Sequence, residues 1–321
     1  MIIHPQLRAL RDDDTPQRAA QDATVDQVMA WRNQSHVAKL LDAVRAFAAG
    51  GDLADHQVLA RLFDAGSDDA EALARELIGV TASALAENWL GHAPFRHFTD
   101  DTISTLQLAR SGSVTLSLVA IDGAGLAKRP PATTADSSPS QVWERVLAGH
   151  ARAVTIDRCS TRPDRADLSA STLSLTPGSI VVRDARSHHM RLESVDGCLV
   201  LLRLQRRLPE AGPTREYALA DGAMVHQAAG TPQDSRTELM MALLGRMGRP
   251  DAAPAMAVIA CDKGGKVVRW QALRECLSLD TAAGFSALCE VARREEDELA
   301  PAAGALRSQL IEAYPQLKEL A

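Results

Sequence analysis

The chain has 321 residues, is 46% apolar and 24% charged, and carries a formal net charge of −6. That is enough apolar mass for a core and enough length for more than one domain. The acidic balance argues against an extended nucleic-acid surface, which needs a basic field, and a 3% aromatic content leaves few rings on which bases could stack.

No window approaches the roughly 18 uninterrupted apolar residues of a membrane span. The opening MIIHPQLRALRDDD has no basic start followed by an apolar run, so no membrane association and a cytoplasmic location are expected. The five cysteines are widely spaced and form no C-x-x-C, which points to free buried thiols in a reducing compartment.

Residues 1–22 are polar, with an acidic run at Asp12–Asp14 and a proline at 16, and read as a flexible leader. Thr24 can cap a helix, and Val25, Val28, Met29, Val37, Leu40, Leu41, Val44 and Phe47 recur at helical spacing up to Gly50-Gly51. His36 lies on or beside this stripe and reads as a core or boundary residue. Further helices are expected over Asp55–Asp64 and from Asp68 to Trp89, the latter with acids in its first turn where they favour a helix N-terminus. Residues 23–94 therefore read as an α-helical N-terminal unit.

From His92 the period changes to two. Ile103–Leu108 and Ser113–Val119 alternate apolar and polar as half-buried strands do, strand character returns at Val142–Leu147 and Ala153–Ile156, Ser171–Arg207 reads as three or four short strands that include the run Cys198–Leu204, and the last candidate is Arg215–Leu219. Pro177-Gly178 is expected to turn the chain, Asp196-Gly197 to close a tight hairpin, and Asp122-Gly123 to form a β-turn. Lys128–Pro139 has no apolar face and reads as a loop. Arg203, Arg206 and Arg207 read as a solvated strand end. Many short strands at turn-marked intervals suggest that residues 95–230 form a sandwich or barrel instead of a βαβ sheet.

After Gly230 the pattern is helical again, over Arg236–Met247, Ala252–Ala260, Val267–Leu279, Ala282–Arg294 and Ala300–Ala313. The segment VVRWQALR at 267–274 is similar to the first helix of a HEAT-type repeat. Residues 231–321 are expected to form either a short helical-hairpin array or a compact helical subdomain.

Within the strand-rich region three stretches resemble the cupin superfamily of jelly-roll barrels. Ser113–Asp122 resembles the strand before the first cupin motif, and QVWERVLAGH at 141–150 resembles the strand and glycine turn that end it. LTPGSIVVRDARSHH at 175–189 resembles the second motif, in which a Pro-Gly turn begins a strand and a histidine follows. Helices ahead of the barrel are also a feature of cysteine-dioxygenase-like cupins. The resemblance implies an α+β fold: a cupin-like double-stranded β-helix, or jelly-roll barrel, flanked by the two helical units.

Metal-binding cupins take an H-x-H pair and a glutamate from the first motif and a third histidine from the second. Here no histidine lies between His97 and His150, so the first motif is degenerate. Glu144 stands near the expected glutamate, and His188 or His189 matches the second-motif histidine. The ligand-binding candidates are His188, His189, Glu193, Glu144 and His150, with Glu193 on the face of His189 if the strand runs straight.

Two functions follow. The first is a non-catalytic cupin-like protein that binds a small ligand or a partner protein, with no metal cofactor and, by analogy with edge-paired barrels, in homodimeric form. The alternative is a metal-dependent cupin dioxygenase or isomerase using iron, manganese, nickel or zinc, with displaced ligands from His97, Glu144, His150 and His189.

Overall fold

The computed structural model describes residues 13–162, 164–208, 212–229 and 231–320. Residues 1–12, most of the expected leader, lie outside the described residues. The chain divides into two compact units, one comprising Met1–Pro209 with Glu216–Val225, the other Glu210–Arg215 with His226–Ala321.

The first unit opens with helix α1 (Thr15–Arg32), which starts well before Thr24. Pro16 suits a first helical turn because the amide it lacks has no partner there, and Asp13 accepts a hydrogen bond from the Thr15 amide at 2.9 Å. Helix α2 spans Ser35–Ala49. The apolar stripe read as one helix is thus split at Asn33-Gln34, where Gln34 adopts an extended conformation with ψ of 139°. A single turn, α3 (Gln57–Ala60), and helix α4 (Asp69–Glu87) follow. His36 lies exposed, with its Nε2 2.7 Å from Glu76 Oε2.

The sheet strands are β1 (Arg96–Thr99), β2 (Ile103–Ser111), β3 (Val114–Asp122), β4 (Thr134–Ser137), β5 (Ser140–Thr161), β6 (Ala166–Leu175), β7 (Ile180–Asp184), β8 (His188–Arg207), β9 (Thr214–Ala218) and β10 (Met224–Ala228). The main sheet has the order β1-β2-β3-β8-β5-β6, with β7 pairing β5, and a small sheet has the order β10-β9-β4. All pairings in the main sheet are antiparallel. The stretch read as a loop therefore contains β4, and Asp122-Gly123 leads into a short helix, α5 (Gly123–Lys128), in which the Asp122 carboxylate accepts the Gly125 amide at 2.6 Å.

The pairing leaves the sheet open at β1 and β6 among the described residues, so the closed jelly-roll barrel expected from the sequence is not what it describes. The Asp196-Gly197 hairpin is also absent. β8 runs through that position and stays paired to β5, with register shifts at Val146–Ala148 and Ala148–His150. Gly149 and Gly197 have φ of 85° and 67°, a region that only glycine enters at little cost. A Cβ on Gly149 would meet the Cys198 carbonyl oxygen at 2.1 Å. These glycines bend a pair of long strands instead of reversing one. Pro177-Gly178 does turn the chain, with Gly178 at φ 85° and the Ser179 amide donating to the Thr176 carbonyl at 2.9 Å.

The expected division between helical unit and β-region is not a division between cores. One cluster joins Val28, Val44 and Phe47 of the helices to Val114, Leu116 and Leu204 of the sheet. Arg145, 4% exposed, fastens the two layers with a 2.9 Å ion pair to Glu71 and a 2.6 Å bond to the Asp64 carbonyl. A second cluster, including Val119, Ile121, Val146, Ala153, Leu175 and Leu201, occupies the other face of the bent ladder.

The second unit contains α6 (Pro232–Arg246), α7 (Ala253–Cys261), α8 (Lys266–Leu279), α9 (Thr281–Ala292) and α10 (Ala300–Ala313). Met256, Leu273, Cys276, Phe285 and Leu288 form its core. Arg269 and Asp297, with side chains 9% and 7% exposed, pair within it. All five cysteines are free, but Cys159 and Cys198 are exposed, and only Cys276 and Cys289 are fully buried. Among the described residues no helix is long and apolar enough to cross a membrane.

Candidate functional site

Strand alternation builds the site. Along β8, Leu202 and Leu204 face the helices and join the first core, while Leu199 and Leu201 join the second. Arg203 shares the parity of the second set. The register places it across from Ser117 on β3 and Glu144 on β5, and Glu144 lies across from Val181 on β7. Arg183, two residues along β7, reaches the same carboxylate.

The Glu144 side chain is 1% exposed. Its Oε1 accepts from Arg203 Nε at 2.7 Å and lies 2.6 Å from Arg203 Nη2, and its Oε2 accepts from Arg183 Nη2 at 2.9 Å and Nε at 3.3 Å. Burial alone would raise the Glu144 pKa, but the guanidiniums of Arg203 and Arg183 outweigh it and hold the carboxyl below its ordinary range. The carboxylate is therefore fully engaged, and the triad carries a net positive charge. Among the described residues no hydrogen bond engages Nη1 of either arginine.

Beside the triad lies a cavity of about 610 Å³, within the range of small-molecule sites. Arg129, Arg183, Arg191, Arg203 and Glu193 supply its charged lining, and Ile103, Ile121, Leu126, Met190, Leu192 and Leu201 supply much of the apolar remainder. Arg129 is paired to Asp100 at 2.8 Å. Arg191 Nη1 donates to the Ala132 carbonyl at 2.9 Å, and its Nη2 stands 3.6 Å from Glu193 Oε1. Its Nε is buried and has no hydrogen-bond partner among the described residues.

The residues singled out from sequence are dispersed. Glu144 lies in the triad and Glu193 lines the cavity. His189 contacts Asp136 of β4, with Nδ1 2.6 Å from Oδ1, so the imagined His189–Glu193 pair is replaced by a partner from a stretch read as loop. The His189 hydrogen bond holds the Asp136 carboxyl below its ordinary range, against the smaller opposing effect of burial. His188 is exposed, with Nδ1 2.9 Å from Ser187 Oγ. His150 and His97 are also exposed.

These residues do not fit the metal that a cupin resemblance implies. Glu144 has both oxygens occupied by guanidiniums, and among the described residues no group of three or more His, Cys, Asp or Glu side chains is placed to hold an ion. His97, Glu144, His150 and His189 are not brought together.

The arginines are what sequence reading missed. Arg203 sits inside the run LVLLRLQ, and an arginine flanked by buried leucines needs a carboxylate, which was the available signal. Arg206 is no solvated end either. Its guanidinium lies 4.3 Å from the Phe47 ring centroid and donates to the Gly51 carbonyl at 2.6 Å. Only Arg207 of the three is exposed.

No protein-family model and no curated protein sequence matches the chain. Among solved structures it is similar to a putative mannose-6-phosphate isomerase from Ralstonia eutropha JMP134, at 16% identity over 36% of this chain and 94% of that one, with a TM-score of 0.25. It is similar to an RmlC-like cupin from Shewanella frigidimarina NCIMB 400, at 11% identity over 36% and 87%, with a TM-score of 0.25. It is likewise similar to an ectoine synthase from P. lautus, at 11% identity over 34% and 67%, with a TM-score of 0.24.

Proposed function

We propose that the first unit is a cupin-like binding module that holds a small molecule in the cavity beside Glu144, without a resident metal. The observation that carries this reading is the cavity itself: about 610 Å³, mixed in lining, next to a carboxylate already saturated by two arginines. A binding site needs such a volume and a few fixed polar groups. A metal site would need the carboxylate free and imidazoles beside it. The resemblance of the 113–122, 141–150 and 175–189 stretches to cupin motifs supports the fold part of the reading.

Two measurements test it. A library of small metabolites screened by thermal shift should contain stabilising members, and Met190→Trp, which fills the cavity, should abolish their effect. Elemental analysis should show no stoichiometric iron, manganese, nickel or zinc. A stoichiometric metal, or stabilisation that survives Met190→Trp, overturns the proposal.

A second reading, association with another copy of this chain through the helical unit, is favoured by α6. Its residues Leu239, Met240 and Leu243 are 71%, 55% and 56% exposed, and contiguous exposed apolar surface marks interaction sites. Light scattering should find a dimer that Leu239→Asp converts to monomer. A monomeric parent chain removes this reading.

A further inference from the structure

The cavity beside Glu144 has an asymmetric lining. Among the described residues, Arg129, Arg183, Arg191 and Arg203 stand against Glu193 as the only lining carboxylate. The internal pairings do not cancel this excess. Arg129 is neutralised by Asp100, but Arg183 and Arg203 share the single charge of Glu144, and Arg191 has only a 3.6 Å approach to Glu193. Arg191 lines the cavity with its Nη1 anchored on the Ala132 carbonyl at 2.9 Å, while its Nε is buried out of reach of solvent. The Nη1 groups of Arg183 and Arg203 have no protein acceptor among the described residues and, unlike the Arg191 Nε, stay open to solvent. Donors of this kind are completed by an oxyanion, which accepts in the plane of a guanidinium.

The rest of the lining defines the remainder of the ligand. Ile103, Ile121, Leu126, Met190, Leu192 and Leu201 are aliphatic or thioether side chains, suited to an apolar body. Among the described residues no aromatic ring lines the cavity, so they offer nothing for stacking against a base or sugar face. A divalent cation is disfavoured by the positive field.

We infer that the cavity binds a small organic anion, with an oxyanion head on Arg191 and the Arg183–Arg203 pair and a short aliphatic body against the leucine, isoleucine and methionine wall. This inference rests on the proposed reading of the cavity as a ligand site and adds the charge and shape of what enters it. The head is a carboxylate or a phosphate ester, since both present coplanar acceptors to arginine.

Calorimetry on the full chain tests this with hexanoate, hexyl phosphate, inorganic phosphate and the neutral isostere hexanamide. Hexanoate or hexyl phosphate should bind at least about tenfold more tightly than hexanamide, as expected when a charge-assisted pairing is lost. Whichever of the two binds more tightly identifies the head. Inorganic phosphate should bind more weakly than hexyl phosphate because it lacks the apolar body. Arg191→Gln should weaken the preferred anion by about tenfold or more while leaving the melting temperature of the ligand-free chain within about 2–3 °C. The hexanoate–hexanamide comparison needs no variant and stands even if Arg191→Gln fails to fold. Equal or tighter binding of hexanamide overturns the anion inference and leaves the cavity reading intact. Binding of no probe, charged or neutral, overturns both.

Discussion

Replacing Glu144 with glutamine removes the buried charge that holds two partly exposed guanidiniums. The shape is kept, but one of the two acceptor oxygens becomes an NH₂ group facing an arginine. Breaking a buried ion pair by removing one partner costs about 3–5 kcal/mol because the other charge is left uncompensated. Arg183 and Arg203 are 16% and 32% exposed, so water screens part of that loss and about 3 kcal/mol is the reasoned figure. For a unit of this size that corresponds to a drop of roughly 6–12 °C in melting temperature.

Urea unfolding in a Trp270→Phe background isolates the signal, because the remaining tryptophans, Trp31, Trp89 and Trp143, all lie in the first unit. The pH dependence provides a second readout. The folded-state pKa of Glu144 is depressed, so its stabilisation is fully present above the unfolded value near about 4.3. It is lost as pH falls from there through the folded value. Glu144→Gln should therefore lose this component of acid sensitivity. Replacing the whole triad, Glu144→Leu with Arg183→Met and Arg203→Leu, should recover most of the stability, since apolar substitutes for buried ion clusters are often neutral or better. A cost below about 1 kcal/mol for Glu144→Gln would refute the claim that the two arginines depend on this carboxylate.

Arg145→Met should destabilise the first unit by about 2 kcal/mol, less than a fully buried pair because Glu71 is 26% exposed; chemical denaturation measures it, and a neutral result would dismiss the fastening role. Gly149→Ala should cost about 2–4 kcal/mol, since it meets both a left-handed φ of 85° and the Cys198 carbonyl; unchanged melting would show that the strand bend does not need glycine. In the second unit, Asp297→Asn should cost about 2–3 kcal/mol when read by Trp270 fluorescence. The hydrogen bond from Arg269 holds Asp297 below its ordinary pKa, so the parent unit, and not the variant, should lose stability as pH falls below the unfolded aspartate value near about 3.9.

The sequence determined the elements because their determinants are local. Helical spacing located the five C-terminal helices within a few residues of their observed ends, and α10 at Ala300–Ala313 coincides with the expected span. Period-two alternation found β2 and β3, and the Pro177-Gly178 turn needs only two adjacent residues. Tertiary structure decided what those elements enclose. Asp196-Gly197 continues a strand paired to β5, opposite the register shifts on either side of Ala148, across a ladder that local pattern does not show. The Glu144 site is assembled from three strands whose residues lie 39 and 59 positions apart. Arg203 could be recognised as drawn in from solvent by its leucine neighbours, but its partner could not be named until the register set Glu144 beside it. Charge pairing acts through space, and only the fold fixes which charges share that space.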